Sequence, residues 1–167
     1  MASFFAFLAF IAFIALLSSA ASAFSGNFEL TNVVVSSPFQ ADPTSTQSTY
    51  VQFDFCDEDT PEVGSTHCCV EWAVGLSPPT SAANTCDNST FDVLVTSWNG
   101  VGNLSLRLGH QYIDNSVGQA PYNILTKYSD FNLTYPATDY YQCDMGNADC
   151  VSDDGEVIIA NVTTAVA

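Results

Sequence analysis

Thr66 to Trp98 is the stretch that most constrains the fold, because its apolar residues alternate along two segments that cysteines flank. Apolar side chains occupy every second position of these segments, at Val70, Trp72, Val74, Phe91, Val93 and Val95. Such alternation is typical of strands with one buried face. Pro78 and Pro79, which cannot donate to a strand ladder, mark the connection. The stretch therefore predicts two strands stapled across a long loop, with Trp72 packed in the core.

The rest of the chain repeats this pattern in short segments separated by turn residues. We predict further strands within residues 24–35, 50–56, 103–108, 122–128, 129–135 and 156–162. A tight segment rich in Gly, Asn and Asp lies between residues 143 and 150. Many short strands with turn signals predict an all-β fold, a compact antiparallel β-barrel or sandwich stapled by disulfides.

The segment over residues 103–108 is the clearest amphipathic strand. We expect its leucines, Leu104, Leu106 and Leu108, to be buried and its polar residues, Ser105 and Arg107, to be exposed. Four sequons make candidate glycosylation sites of Asn88, Asn103, Asn132 and Asn161. Two of them, Asn103 and Asn132, fall on the polar side of their predicted strands, where exposure is consistent with glycosylation.

Residues 1–23 are predicted to be a secretory signal peptide. Phe4 to Leu17 is an uncharged apolar run, shorter than the ~20 residues that a membrane span needs. Ala21-Ser22-Ala23 then fits the small-residue pattern of a cleavage site, although a positive n-region is missing apart from the α-amine. The alternative is an uncleaved anchor. We expect residues 24–167 to form a single secreted, extracellular domain.

The charge balance limits the classes of partner. Arg107 and Lys127 are the two basic residues against eighteen carboxylates, which gives a formal net charge of −16. Nucleic acids and anionic membranes both require a cationic surface, so we expect no nucleic-acid partner and no membrane contact after signal cleavage. A cationic partner is an alternative to the simpler interpretation that the charge keeps the protein in solution.

Six cysteines in a secreted chain predict three disulfides. Cys143 and Cys150 bracket a short turn and are expected to pair. The neighbours Cys68 and Cys69 point to opposite faces of a strand, because successive side chains alternate.

Two arrangements remain for the other four cysteines. We expect Cys56 to pair with Cys69 on the outer face and Cys68 to pair with Cys86 toward the core. The swapped arrangement, with Cys56–Cys68 and Cys69–Cys86, fits the spacing nearly as well.

No motif in the chain predicts a catalytic, cofactor or metal site. His67 stands beside two cysteines, but vicinal cysteines outside the cell favour disulfides over zinc, which needs spaced ligands. His110 is interpreted as a surface or packing histidine. The acidic run over residues 144–156 does not fit the helix-loop-helix calcium template, which leaves an irregular calcium site open. The G-x-S-x-G elbow of serine hydrolases is absent, and carboxylate pairs arise by chance among eighteen acids.

The cysteine spacing resembles the secreted fungal β-barrel family named for the major Alternaria allergen. Cys68 or Cys69 ends a strand, and Cys86 is followed after four residues by Phe91. A late pair, Cys143 and Cys150, precedes a last strand. The resemblance implies a compact β-barrel with two core disulfides and no established catalytic site. It also implies a role as an allergen, elicitor or effector at plant surfaces, with small phenolic ligands or host defence proteins as proposed partners.

Two features depart from that family. The founding allergen has a cysteine near its mature N-terminus that links a dimer, whereas residues 24–55 contain none. We therefore expect no covalent dimer. Cys56 and the doubled Cys68-Cys69 also lie outside the family pattern.

These observations favour one functional hypothesis and leave two alternatives. The leading hypothesis is a secreted, non-enzymatic interaction protein that acts at a host or cell-wall surface by binding a protein or a small phenolic ligand. The alternatives are a carbohydrate-binding module of the cell wall and a small extracellular hydrolase built on paired carboxylates.

Overall fold

The computed structural model describes residues 26–38, 47–82 and 85–166, and these residues fold into two antiparallel sheets that pack face to face. The predicted signal peptide lies outside the described residues. The strands of the described part are β1 Asn27–Ser36, β2 Ser48–Asp57, β3 Thr66–Ala73, β4 Phe91–Trp98, β5 Asn103–Ile113, β6 Ile124–Thr134, β7 Tyr141–Asp144, β8 Asp149–Ser152, β9 Ile158–Asn161 and β10 Thr164–Val166. Within these ranges, no helix is long and apolar enough to cross a membrane.

The larger sheet has the order β3-β2-β1-β8-β7, with β9 also paired to β1, and the smaller sheet has the order β10-β6-β5-β4. The two sheets form a sandwich and do not close into one barrel. β1 serves two partners along one edge, because its first half pairs with β9 and its second half pairs with β8. A bulge between Thr31 and Val34 separates the halves, and there Asn32 adopts a φ of 52°, a conformation that Asn tolerates.

Alternating apolar residues build the core, as the sequence predicts. Leu104, Leu106 and Leu108 are fully buried, whereas Arg107 is exposed. Ser105 is half-buried rather than exposed, because its hydroxyl donates to Asn132 Oδ1 at 2.8 Å across the β5–β6 pair. Trp72 is buried as predicted, and its ring meets that of Trp98 edge to face with centroids 5.0 Å apart.

The strand boundaries differ from the prediction at the β5–β6 hairpin. β5 continues past residue 108 to Ile113, and the two segments predicted over 122–128 and 129–135 are one strand, β6. The register between β5 and β6 is continuous from Asn103–Thr134 to Ile113–Ile124. The last predicted strand is shorter than expected, and β10 follows it.

Disulfides join Cys68 to Cys86 and Cys143 to Cys150, which selects the first of the two arrangements for the Cys68 bridge. The expected bridge between Cys56 and Cys69 is wrong, since both are free thiols. The two share the outer face of the larger sheet, but their register keeps them apart. Gln52 pairs with Cys69, and Cys56 lies four residues further along β2. At about 3.3 Å per residue this separates them by roughly 13 Å, beyond the ~7 Å Cα limit of a disulfide.

Candidate functional site

The interior of the sandwich contains a polar cluster that we call the buried ionic cluster, formed by Asp57, Asp59, His110 and Lys127. Asp57 ends β2 in the larger sheet and continues the inward row of Phe53 and Phe55. His110 and Lys127 are cross-strand partners on β5 and β6 of the smaller sheet. The cluster therefore bridges the two facing sheets.

Direct contacts connect all four side chains. Lys127 Nζ donates to Asp57 Oδ1 at 2.5 Å and to Asp59 Oδ2 at 2.7 Å. His110 Nδ1 lies 2.7 Å from Asp57 Oδ2, and because an ionised carboxylate only accepts, Nδ1 carries the proton and donates it. Asp57, His110 and Lys127 are at most 1% exposed, whereas the side chain of Asp59 is 16% exposed. Asp59 thus connects the cluster with solvent.

Aromatic rings surround these charges. The His110 ring stacks on Phe91 with centroids 3.8 Å apart and an interplanar angle of 6°. Lys127 Nζ lies 5.5 Å from the centroid of the Phe28 ring and 5.3 Å from that of Tyr112. Rings at this distance attract a cation, but they replace much of the water that an ammonium group needs. The site is dry and depends on its internal contacts.

The cluster shifts the acidity of its own members. Burial alone would raise the pKa of Asp57, but the hydrogen bonds from His110 and Lys127 outweigh it and hold that pKa below its usual range. Burial, followed by the nearby Asp57 and Asp59 carboxylates, raises the pKa of Tyr112 to about 12. The hydroxyl of Tyr112 has no hydrogen-bond partner among the described residues. Because the lowered pKa keeps the Asp57 carboxyl ionised, Asp57 and Lys127 form an ion pair in this state.

No sequence pattern predicted this cluster, although His110 was interpreted as a surface or packing histidine. His110 is a packing histidine, as one of the two interpretations held, and it also binds a carboxylate. The inward alternation of Leu125, Lys127 and Ser129 was the available signal for Lys127. Asp57 likewise continues the inward alternation of Phe53 and Phe55. Its contact with Lys127 had no local signal, because the two residues lie 70 positions apart in the chain.

The residues considered for metal binding do not converge. His67 Nδ1 lies 3.1 Å from Asp54 Oδ1, and its neighbour Cys68 is in a disulfide. Asp144 is satisfied within its own turn, where it accepts from Gly146 N at 2.9 Å and from Asn147 Nδ2 at 2.7 Å. Across the described ranges, no three His, Cys, Asp or Glu side chains come together to hold a metal ion.

The four candidate glycosylation sites differ in exposure. Asn103, Asn132 and Asn161 are exposed, which confirms the predicted outward face of Asn103 and Asn132. Asn88 is half-buried, and its Oδ1 accepts from both the backbone and the hydroxyl of Thr90. Three of the four sequon asparagines are thus more exposed than the fourth.

A surface cleft of about 400 Å³ opens beside β6 and β9, and we call it the Tyr140 cleft. Phe131, Tyr140 and Ile159 supply its apolar walls, and Asn132 and Asp139 add polar groups. Tyr140 and Ile159 are 45% and 43% exposed, so both side chains are accessible.

Tyr140 is held in a left-handed conformation with a φ of 61°, which is unfavourable for a bulky side chain. Such a residue costs on the order of 1–3 kcal/mol and persists where its surroundings fix it. Its carbonyl accepts from Asp153 N at 2.8 Å. The next residue, Tyr141, is buried and donates its hydroxyl to Val101 O at 2.5 Å. These anchors fix Tyr140 at the wall of the cleft.

A second cleft, the Trp98 cleft, has a volume of about 390 Å³ and is lined by Pro78, Pro79, Leu94 and Trp98. Trp98 is half-buried, and its ring packs edge to face against the buried ring of Trp72. An indole ring in such a position suits stacking on a sugar ring.

One pair of carboxyl groups belongs to Glu29 on β1 and to Glu58 in the turn that follows β2. Burial and then a hydrogen bond with Glu58 raise the pKa of Glu29. Carboxyl groups that share a hydrogen bond are closer than the roughly 5 Å separation of retaining glycosidases. This pair therefore does not have the spacing of a glycosidase site.

Neither a family model, nor a curated protein, nor a solved structure matches this chain. The resemblance to the Alternaria allergen family stays a prediction that rests on cysteine spacing. The geometry of the clefts and of the buried ionic cluster is therefore the basis for the functional arguments that follow.

Proposed function

We infer that this is a secreted, non-enzymatic interaction protein that binds a small neutral phenolic ligand in the Tyr140 cleft. The observation that carries the proposal is Tyr140, a strained and accessible aromatic residue that its neighbours hold at the cleft wall. Backbone strain of this kind concentrates at binding sites, where it keeps a side chain in place before the ligand arrives.

The lining of the cleft defines the chemistry of the ligand. Phe131, Tyr140 and Ile159 offer apolar surface to an aromatic ring, and the Asp139 carboxylate accepts a hydrogen bond from a phenolic hydroxyl. The volume of about 400 Å³ lies within the usual range of small-molecule sites, roughly 300–1,000 Å³. The formal net charge of −16 disfavours ligands that carry a carboxylate.

Calorimetric titration with two related ligands tests the proposal. Coniferyl alcohol and ferulate share a methoxyphenol ring, but the first is neutral and the second is an anion. We expect saturable binding of coniferyl alcohol and weaker binding of ferulate. Absence of saturable binding for both ligands would contradict the proposal.

Two variants locate the binding site. Tyr140→Asn removes the ring and places a residue that tolerates a left-handed backbone, so the fold should be kept while the affinity falls at least about tenfold, or 1.4 kcal/mol. Tyr122→Ala is the matched control, since Tyr122 is 76% exposed and lies outside the cleft. An unchanged affinity in Tyr140→Asn would place the ligand elsewhere.

The sequon at Asn132 adds a second readout, because this residue lines the cleft. A glycan there would stand at the mouth of the cleft and restrict access. The titration should therefore be repeated after enzymatic removal of N-linked glycans. Tighter binding after removal is the expected result.

A carbohydrate-binding module of the cell wall is the second candidate, and the Trp98 cleft favours it. Incubation with plant and fungal wall polysaccharides distinguishes the classes. Retention on a polysaccharide that is lost in Trp98→Ala supports the binding module, whereas released sugar products support the hydrolase.

A macromolecular partner, such as a host or cell-wall protein, is a further alternative that a binding screen against extracellular plant extract would reveal.

A further inference from the structure

The buried ionic cluster presents an amine, a carboxyl group and two proton-transfer groups in direct contact inside a dry site. We propose that Lys127 and Asp57 condense to an intramolecular amide, an isopeptide bond that joins β6 of the smaller sheet to β2 of the larger sheet. The proposal concerns a modification site, and it is independent of the ligand-binding function.

The reacting atoms are already close to an attacking geometry. Lys127 Nζ lies 2.5 Å from Asp57 Oδ1, so it is at most about 3.7 Å from Cγ once one carbon–oxygen bond is added. A well-oriented pair at about 3–3.5 Å gains a large rate advantage, because no further translational or rotational freedom must be lost. Both side chains are fully buried, which keeps them together.

The lack of water reduces the free-energy cost of passing from the ion pair to the neutral forms that the condensation requires. An ion pair in a site without water loses the solvation of both charges. A proton transfer from the ammonium group to the carboxylates yields a neutral amine with a free lone pair. Phe28, Phe91 and Tyr112 exclude water around the amine and around His110, and this exclusion also opposes the reverse hydrolysis.

Each step has a group in place to perform it. Asp59 Oδ2, 2.7 Å from Nζ, accepts a proton from the Lys127 ammonium group. The amine then attacks Asp57 Cγ, and the backbone N–H of Asp59, 3.0 Å from Oδ1, stabilises the charge that develops on that oxygen. His110 Nδ1, 2.7 Å from Oδ2, protonates the leaving oxygen.

The atoms and charges of the step balance without any co-reactant. The Nζ–Cγ bond forms and the Cγ–Oδ2 bond breaks. The ammonium group loses two protons, which leave with Oδ2 as one water molecule, while Asp59 and His110 relay protons and end as they began. The ion pair is converted into a neutral amide plus water, and the partial exposure of Asp59 marks the route by which the water leaves.

The bond would add a link that the disulfides do not supply. The Cys68–Cys86 bridge holds a loop against β3, and the Cys143–Cys150 bridge lies within the β7–β8 hairpin, so both staple the larger sheet. An amide between Asp57 and Lys127 would connect the two sheets and close a segment of 70 residues.

Tryptic digestion of the reduced, denatured protein gives a direct test, because Arg107 and Lys127 are the two cleavage sites of the whole chain. An unlinked protein yields three peptides. A linked protein is protected at Lys127, so it yields one branched species in which the fragment ending at Arg107 is attached to the fragment that contains Lys127. No observed disulfide crosses either cleavage site, so reduction leaves this readout intact.

Mass spectrometry of the branched species completes the test. We expect its mass to be lower by one water molecule than the sum of its two fragments, with fragmentation placing the link at Asp57 and Lys127. Three separate peptides from folded, aged wild-type protein would overturn the proposal and leave an ion pair only. This result depends on the wild-type chain, so it does not require any variant to fold.

Two variants test the assigned roles. Lys127→Arg cannot form the amide and must give an unlinked chain. Asp59→Asn removes the proton acceptor but keeps both reacting groups, so the linked fraction should accumulate roughly 100-fold more slowly or not at all. Asp130→Asn, on the outer face of the same strand, is the control and should link at the wild-type rate. If Asp59→Asn forms the amide at the wild-type rate, the role of Asp59 as proton acceptor is refuted.

Discussion

The β5–β6 hairpin carries an ion pair on each of its two faces, and the pairs differ in almost every physical respect. On the outer face, Arg107 of β5 and Asp130 of β6 form a two-point contact at 2.9 and 3.2 Å, with both side chains about half exposed. On the inner face, Lys127 and Asp57 are fully buried and belong to a larger network. The chain thus places both of its basic side chains on one hairpin.

The difference shows what burial does to the same type of interaction. Water and salt screen the outer pair, so its attraction adds little to the stability of the fold. The inner pair has no water to replace a lost partner, so each charge depends on the other. A buried pair of this kind does not itself stabilise more than apolar packing would, but it makes the position intolerant of single changes. The same burial keeps the Lys127 amine and the Asp57 carboxyl group in contact, as a reaction between them requires.

The largest expected effect follows from removing one inner charge. Lys127→Met leaves the Asp57 carboxylate buried without its cation and removes any amide link. We expect a loss of at least about 3 kcal/mol in the free energy of unfolding, a large part of the ~5–15 kcal/mol that a domain possesses. Urea unfolding followed by tryptophan fluorescence measures it.

The control for this change is Arg107→Met, which makes the same chemical replacement on the outer face. A similar loss in both variants would break the comparison. The double change Lys127→Met with Asp57→Leu replaces the whole inner pair by apolar groups. It should recover much of the loss, because most of the cost of Lys127→Met is the buried Asp57 carboxylate left without its cation, and the second change removes that carboxylate.

The alternation of the first half of β5 was predictable from the sequence, whereas the buried ionic cluster of the same hairpin was not. Alternating leucines over residues 103–108 are a local signal, and the structure confirms it. His110 and Lys127 occupy inward positions of the same strands, but a polar residue in an alternating pattern is normally assigned to the surface. Their acceptor, Asp57, reaches them only because two sheets fold onto each other, and no short-range pattern encodes that contact.

The error on Cys56 and Cys69 has a related origin. Alternation correctly placed both side chains on the outer face of the larger sheet. It does not determine how far one strand is shifted along its neighbour, and the observed register sets the two thiols four residues apart. The Cys143–Cys150 bridge was predictable because the two cysteines flank one short turn, with a separation of 7 residues. For Cys86 the sequence favoured Cys68 but left Cys69 as an alternative, and the structure selects Cys68.

Disulfide loss is expected to rank second in size. Cys86→Ser should lower the melting temperature more than Cys150→Ser, since loss of a native bridge costs about 2–5 kcal/mol and the longer loop restrains more chain entropy. The loop lengths alone account for a difference of under about 1 kcal/mol. Cys68 is also in the core, and the loop before Cys86 contains few apolar residues. Calorimetry of both variants gives the ranking, and a larger effect at Cys150 would contradict it.

The pH dependence distinguishes the ionic and amide states of the inner pair. Hydrogen bonds hold the pKa of folded Asp57 below the unfolded value of about 3.9. An ionic Asp57 therefore stabilises the fold fully above that pH, and this contribution is lost as the pH falls through the lower folded pKa. An amide does not titrate. Melting temperatures of Asp59→Asn, which should stay ionic, are expected to fall more steeply below about pH 4 than those of the linked wild type.

Parallel pH curves for these two proteins would argue against the amide, provided that both are folded at neutral pH. Asp59 itself titrates, so the curves are best compared with that of Lys127→Arg, which retains all carboxylates and cannot link. If the amide forms in the wild type, Lys127→Arg should follow Asp59→Asn in its acid sensitivity.

The smallest effect is expected on the outer face. Arg107→Ala removes a cation whose side chain is half exposed, and water can solvate the Asp130 carboxylate that remains. The Arg107 guanidinium keeps the pKa of Asp130 below its usual range, so the pair is intact above that range and is lost as the pH falls through it. The variant should unfold close to the wild type at neutral pH, and the difference should shrink further in high salt, because salt screens exposed charges. A loss that persists in high salt would show that Arg107 acts through packing of its methylene groups instead of its charge.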